Sequence, residues 1–230
     1  MELTEQTALL FFSKTASVEA ESKCFFESKN RKVNSKISKL LIANSRKTLT
    51  QSGLRVFEVS STEQTGNSFG EKVSNAIESV FLRGFENVIV IGNDCPQLTV
   101  FILKAAIAGL TNHQVVIGGD RRGGIYLLGV NKEVFNKKAF INLKWQTPNL
   151  FDDISKSLLG DSTFLILPTL KDINNSEDLA SLKHILPLTH LLRTFVLSLL
   201  ASFLKNIYIS LSGYRSTFSF IKGLRAPPLN

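Results

Sequence analysis

A chain of 230 residues with net charge +8 and 43% hydrophobic residues can bury one core of α/β size, with room for an appendage. Its two cysteines, Cys24 and Cys95, exclude a disulfide framework, and no Cys/His spacing reads as a zinc site, so a reducing, cytoplasmic setting fits best. Met1–Ala8 is acidic and polar, unlike the basic and then apolar order of a signal peptide. The charge is unevenly placed. After Asp178 there is no acid, while Lys183, Arg193, Lys205, Arg215, Lys222 and Arg225 remain, which leaves the preceding residues near +2. A second basic region, Lys23–Lys47, contains Glu27 as its only acid. Such surfaces attract nucleotides, nucleic acids and anionic lipid alike.

In chain order, Thr7–Phe12 (TALLFF) reads as a first strand that runs into a polar segment, Ser13–Ala16. Lys14 and Lys23 follow, either as point charges for a diphosphate or as solvated lysines. The spacing of Ile37, Leu40 and Leu41 predicts an amphipathic helix over Ser35–Leu49, and Leu54–Val59 alternates as a strand. Gly66–Glu71 reads as a glycine loop with Glu71 in the first turn of a helix through Val73–Phe81, which Gly84 stops. Val88–Ile91 is an unbroken β-branched run, the pattern of a strand buried on both faces of a parallel sheet. Gly92, Asn93, Asp94, Cys95 and Pro96 follow, and a helical period begins at Leu98 with Phe101, Ile102, Ala105, Ala106 and Leu110. Asp94 is thereby placed at the carboxyl end of a central strand, where open α/β sheets hold their ligand crevices. It either caps the turn before Leu98 or ligates Mg²⁺ or Mn²⁺.

Gln114–Gly118 is another short buried strand. Gly123-Gly124, before Ile125–Leu128, is either a hairpin turn or a point where backbone approaches a sugar or ribose. Trp145, the only tryptophan, suits stacking on a sugar or base and suits a core position equally. A helix begins at Thr147 or Pro148 and runs to Leu158, and Thr163–Pro168 is a further strand. Ser176-Glu177-Asp178 reads as an N-cap with acids in the first turn of a closing helix.

Ile91–Thr99 (IGNDCPQLT), Gly118–Val130 (GGDRRGGIYLLGV), Trp145-Gln146-Thr147 and Leu170–Leu179 (LKDINNSEDL) together resemble the ordered motifs of DUF2064. This is a bacterial GT-A-like family related to the nucleotide-diphospho-sugar transferases and the MobA/CofC-type nucleotidyltransferases. The resemblance implies a GT-A domain over residues 1–180, a three-layer α/β/α fold with a mixed, mostly parallel sheet. It implies a metal-dependent glycosyltransferase or nucleotidyltransferase with a nucleotide-sugar or nucleoside triphosphate donor and a small-molecule or sugar acceptor. Asp94 and Asn174 would then hold Mg²⁺ or Mn²⁺. Lys14, Lys23, Asn93 and Arg122 would face the donor, and Gly123, Gly124 and Tyr126 the acceptor. No general base is identifiable. The chain departs from the family pattern at three points: the first loop lacks a Pro-Gly pair and an Arg, Arg122 stands where Asp is usual, and Asn174 stands where Asp is more frequent. These departures support an alternative, a catalytically degenerate GT-A-like domain that binds a ligand or partner. No nucleic-acid recognition pattern is visible.

Residues 181–230 form a basic, apolar extension. Leu182, Ile185, Leu186, Leu192, Phe195, Val196, Leu199, Leu200, Phe203 and Leu204 recur at helical spacing, and Pro187 starts or kinks the helix. The apolar stretch between Arg193 and Lys205 is shorter than the ~20 residues a bilayer span requires. Packing against the sheet, pairing into a homodimer and lying on an anionic membrane surface all fit this pattern.

Overall fold

The structure is a computed structural model and describes residues 3–26, 30–158 and 163–202. Contacts divide the chain into two units, Met1–Leu179 and Ala180–Asn230. The first is built on six strands: β1 (Thr7–Phe12), β2 (Arg55–Val59), β3 (Asn87–Ile91), β4 (Val115–Asp120), β5 (Ile125–Asn131) and β6 (Phe164–Leu170). Their order across the sheet is β2-β1-β3-β5-β4-β6. Only β5 runs against the others, pairing antiparallel with both β3 and β4. The result is a mixed, mostly parallel sheet of the α/β class.

The strand sequences account for this order. Every residue of β1 is buried, as is most of β3, because the β-branched and aromatic runs are covered on both faces. Side chains alternate along β1. Ala8, Leu10 and Phe12 enter one core with Val73, Ile77 and Val80 of α4 (Phe69–Phe81), Phe140 of α6 (Lys137–Asn142) and Ile154 of α7 (Leu150–Leu158). Leu9 and Phe11 enter the other with Ile42 and Leu49 of α3 (Arg31–Thr50) and Leu103 and Ile107 of α5 (Val100–Gly109). Strands β2 and β6, at the edges, are only partly buried.

The elements expected up to Leu179 are present with small shifts of boundary, and the differences have local causes; of the apolar period expected in the extension, Phe203 and Leu204 lie outside the described residues. Helix α3 starts earlier than its apolar period because the Asn30 side chain accepts from the Val33 amide. Helix α4 starts at Phe69 because Ser68 and Glu71 form a reciprocal capping box. Gly123-Gly124 lies in the β4–β5 hairpin. Two helices fall where no periodicity marked them, α1 (Leu3–Gln6) and α2 (Ala16–Ser22), besides the short α6. Helix α8 (Ser176–Ile185) is capped by Asn175 rather than Ser176: the Asp178 amide donates to Asn175 Oδ1 at 2.9 Å.

The capping box is a local test of this reading. Ser68→Ala should cost about 1 kcal/mol, which lowers Tm by about 2–4 °C for a domain of this size, as read by calorimetry. An unchanged Tm would show that α4 is held by packing alone.

Candidate active site

Parallel strands end together. The residues that follow β1, β3, β4 and β6 therefore reach the same edge of the sheet, and a cleft of about 650 Å³ opens there. Ser13 and Lys14 come from the end of β1, Asn93 and Asp94 from the end of β3, Asp120 from β4, and Asp172 and Asn174 from the segment after β6. The sequence separation between Ser13 and Asn174, 161 residues, is thus closed by strand direction.

Lys23 sits at the centre of the charge on this edge. Helix α2 is about two turns of mostly polar sequence, and its C-cap is Lys23. The Lys23 ammonium lies 2.6 Å from Asp94 Oδ2 and 2.9 Å from Glu19 Oε1, and also donates to the Ile173 carbonyl at 3.4 Å. Burial opposes its charge, but Asp94 and Glu19 outweigh that and hold its pKa above the ordinary lysine value. Glu19 is itself buried. Burial first and Asp94 second raise its pKa.

The acids are not equivalent. Asp172 has its pKa pushed up to about 8, chiefly by burial and then by the neighbouring Asp94 and Asp120 carboxylates. It also shares a hydrogen bond with Asp120. Asp120 in turn organises the hairpin: its Oδ1 accepts from the Arg122 amide at 2.6 Å and the Gly124 amide at 2.8 Å. Gly123, at φ +81°, packs so closely that an added Cβ would fall 1.8 Å from the Pro148 carbonyl oxygen. It therefore serves loop-to-loop contact, whereas Gly124 lines the cleft.

Arg122 is engaged with protein. Its Nη2 donates to both carboxylate oxygens of buried Asp178 at 2.8 Å. Asp178 also accepts from the Asn174 amide at 3.1 Å and lies 3.3 Å from Lys171 Nζ. Burial opposes ionisation of Asp178, but these donors prevail and its pKa is lowered. The Asn174 side chain belongs to a residue of the cleft wall, held by that backbone bond. Tyr126 donates to the Pro168 carbonyl at 2.9 Å, its ring lying across Gly118. Trp145 donates to the Phe140 carbonyl and packs on Phe69 at 5.5 Å, which fixes its ring in the wall. Lys14 donates to Ser22 Oγ at 3.0 Å.

Among the described residues, no three His, Cys, Asp or Glu side chains are placed to enclose a metal ion. Of the cleft's buried carboxylate oxygens without a hydrogen-bond partner, Glu19 Oε1 is ion-paired with Lys23, whereas Asp94 Oδ1 and Asp172 Oδ1 are not paired, and the amide donor Asn93 Nδ2 is likewise buried with no hydrogen bond. Mg²⁺ is commonly held by one or two carboxylates, with phosphate oxygens and water as its remaining ligands. The Asp94–Asp172 pair suits that kind of site. Asp172 and Glu19 are not marked by the sequence motifs, whereas Asp120, in the hairpin motif, stands near enough to Arg122 to replace in part the Asp usual there, at an offset that is wrong for direct carry-over. The offset of the last motif pointed to Asn174, two positions on, and only the fold brings Asp172 beside Asp94.

The model of uncharacterized proteins conserved in bacteria (DUF2064) matches residues 32–147, half of the chain. The chain belongs to the DUF2064 family. The matched part includes Asp94, the hairpin and Trp145, and stops short of Asp172. No curated protein sequence matches this DUF2064 member. Among solved structures, a candidate nucleotide-diphospho-sugar transferase from Desulfovibrio desulfuricans G20 is similar, at 18% identity and a TM-score of 0.76 over 87% of this chain and 97% of that one. At that identity the likeness shows the fold, which is nucleotide-diphospho-sugar transferase-like. More distant is Rv0371c of Mycobacterium tuberculosis H37Rv in complex with manganese (12% identity, TM-score 0.44, 77% of this chain and 97% of that one). A cytidylyltransferase from Leptospira borgpetersenii serovar Hardjo-bovis is similar at 11% identity and a TM-score of 0.43, over 97% and 99%. At those scores neither bears on the site.

The raised pKa of Asp172 has a consequence for stability. Between the ordinary value of 3.8 and about 8 the folded state keeps a proton that the unfolded chain releases. Stability therefore falls as pH rises through that window. Denaturant titrations of the metal-free protein should show a loss of a few kcal/mol from pH 4 to pH 8, one pKa unit being worth about 1.4 kcal/mol. Asp172→Asn should flatten that slope, and an unchanged slope in the variant would assign it to other groups.

Proposed function

We propose that the cleft binds a nucleotide sugar or a nucleoside triphosphate together with a divalent cation, and transfers the glycosyl or nucleotidyl group to a small acceptor. The observation that supports this most is the pair of buried, unpartnered carboxylate oxygens of Asp94 and Asp172, at parallel strand ends beside lysines. Asp94 and Asp172 would hold the cation. When bound, Mg²⁺ or Mn²⁺ offsets the negative charge of the diphosphate or pyrophosphate that leaves. Asp172 must give up its proton for that role, so cation binding is coupled to pH.

The other residues divide by position. Lys23 is a cation already desolvated and oriented, and would contribute its charge to the donor phosphates once Asp94 turns to the metal. Lys14, and Lys72 on α4, line the same cleft and add positive charge to it. The Asn93 amide, buried without an acceptor, is suited to a donor oxygen. Gly124, Tyr126 and Trp145 make a wall of low charge suited to an acceptor. Arg122 is committed to Asp178 and is assigned a structural role, which ties the hairpin to the segment after β6.

A ligand that binds only the folded state raises Tm as its concentration exceeds its Kd. Thermal unfolding against a panel of nucleotides and nucleotide sugars should show, for one of them, a rise that requires Mn²⁺ or Mg²⁺. Asp94→Ala should abolish the cation-dependent part while leaving the Tm without ligand within a few degrees. A panel with no shift would favour the degenerate binding domain over the transferase.

A further inference from the structure

The second unit, Ala180–Asn230, presents a surface that the cleft does not explain. Its described part holds the end of α8 and a helix over 191–202. On that helix the exposed positions are Leu191, Thr194, Leu197, Ser198, Ala201 and Ser202, spaced as one continuous face. None is charged. Leu191 is 78% exposed, and Leu188, just before it, 74%.

The polar groups of this face are already satisfied by their own helix. Thr194 Oγ1 donates to the His190 carbonyl at 3.4 Å, Ser198 Oγ to Phe195 at 2.7 Å, and Ser202 Oγ to Ser198 at 2.9 Å. A helix face turned to water usually carries charged groups. Hydroxyls folded back onto preceding carbonyls, between exposed leucines, instead suit surroundings that offer no hydrogen bonds. The one charge in 191–202, Arg193, donates to the Leu186 carbonyl at 2.6 Å, on another side of the helix.

The charge of the segment indicates which apolar surroundings these are. From Leu179 to Asn230 there are six Lys and Arg and no Asp or Glu. A second copy of the chain would bring two such segments of like sign together. A nucleic acid would need cations on the exposed face, which has none. An anionic bilayer supplies both an apolar layer for the leucines and headgroup phosphates for the flanking cations. No helix among the described residues is long and apolar enough to cross a membrane.

We propose that the described part of this segment, residues 180–202, binds anionic membrane surfaces, with the Leu188–Leu191–Leu197 face lying in the headgroup layer. The test is flotation of the full chain with vesicles of phosphatidylcholine alone and of phosphatidylcholine mixed with phosphatidylglycerol. Binding should rise with the phosphatidylglycerol fraction and fall with added salt. The double variant Leu188→Glu, Leu191→Glu should bind about tenfold more weakly, with its far-ultraviolet circular dichroism and Tm unchanged because both side chains are mostly exposed. Absence of binding to the mixed vesicles, or equal binding by the folded double variant, would overturn the proposal. Self-association through this face without vesicle binding, or retention of nucleic acid without vesicle binding, would overturn it as well. Should the double variant fail to fold, the dependence of wild-type binding on lipid charge and salt decides the matter by itself.

Discussion

The site depends on how like charges are kept together. Parallel strands deliver Asp94, Asp120 and Asp172 to one edge of the sheet, and burial makes their mutual repulsion strong. Two devices contain it: Lys23 is drawn between Asp94 and Glu19, and Asp172 keeps its proton. Neither arrangement is what a domain built for stability alone would choose. A buried carboxyl with its pKa pushed up to about 8, beside oxygens without partners, carries a standing free-energy cost. Such tension between stability and side-chain choice is expected where a ligand completes the structure.

The surrounding hydrogen bonds hold this arrangement in place. The Ile173 amide donates to the Asp94 carbonyl at 2.8 Å, and the Lys171 amide to Gln97 Oε1 at 2.9 Å, so the segments after β3 and β6 are joined on both sides of the acids. Arg122 and Asp178 add the hairpin to the same assembly.

The sheet was largely legible in the sequence, because Val88–Ile91 and Thr7–Phe12 are unbroken apolar runs with one plausible structure. Asp94 was legible for the same reason: it stands directly after such a run. Lys23 could be named only as a cation in a loop, since the sequence Ala16–Ser22 has no apolar period to mark it as helix α2. Glu19, in that helix, was missed with it. Asp172 lies in a run of polar residues where motif spacing favoured Asn174, and its distinguishing property, burial beside Asp94, is set by the pairing of β4 with β6. The Arg122–Asp178 contact joins residues 56 positions apart and leaves no local trace in the sequence. Departures from the family pattern at Arg122 and Asn174 thus read as losses in sequence. In three dimensions Arg122 has its own carboxylate, and a second acid stands two residues before Asn174.

In the proposed site Asp94 and Asp172 share a cation, and Lys23 yields its place on Asp94 to it. Crystals grown with Mn²⁺ and the nucleotide found by thermal shift, measured at the manganese absorption edge, test this directly. The expected result is an anomalous peak ligated by both carboxylates, with Lys23 Nζ withdrawn from Asp94 Oδ2 toward the nucleotide phosphates. A bound nucleotide with no peak at these carboxylates, or with Lys23 still paired to Asp94, would contradict it.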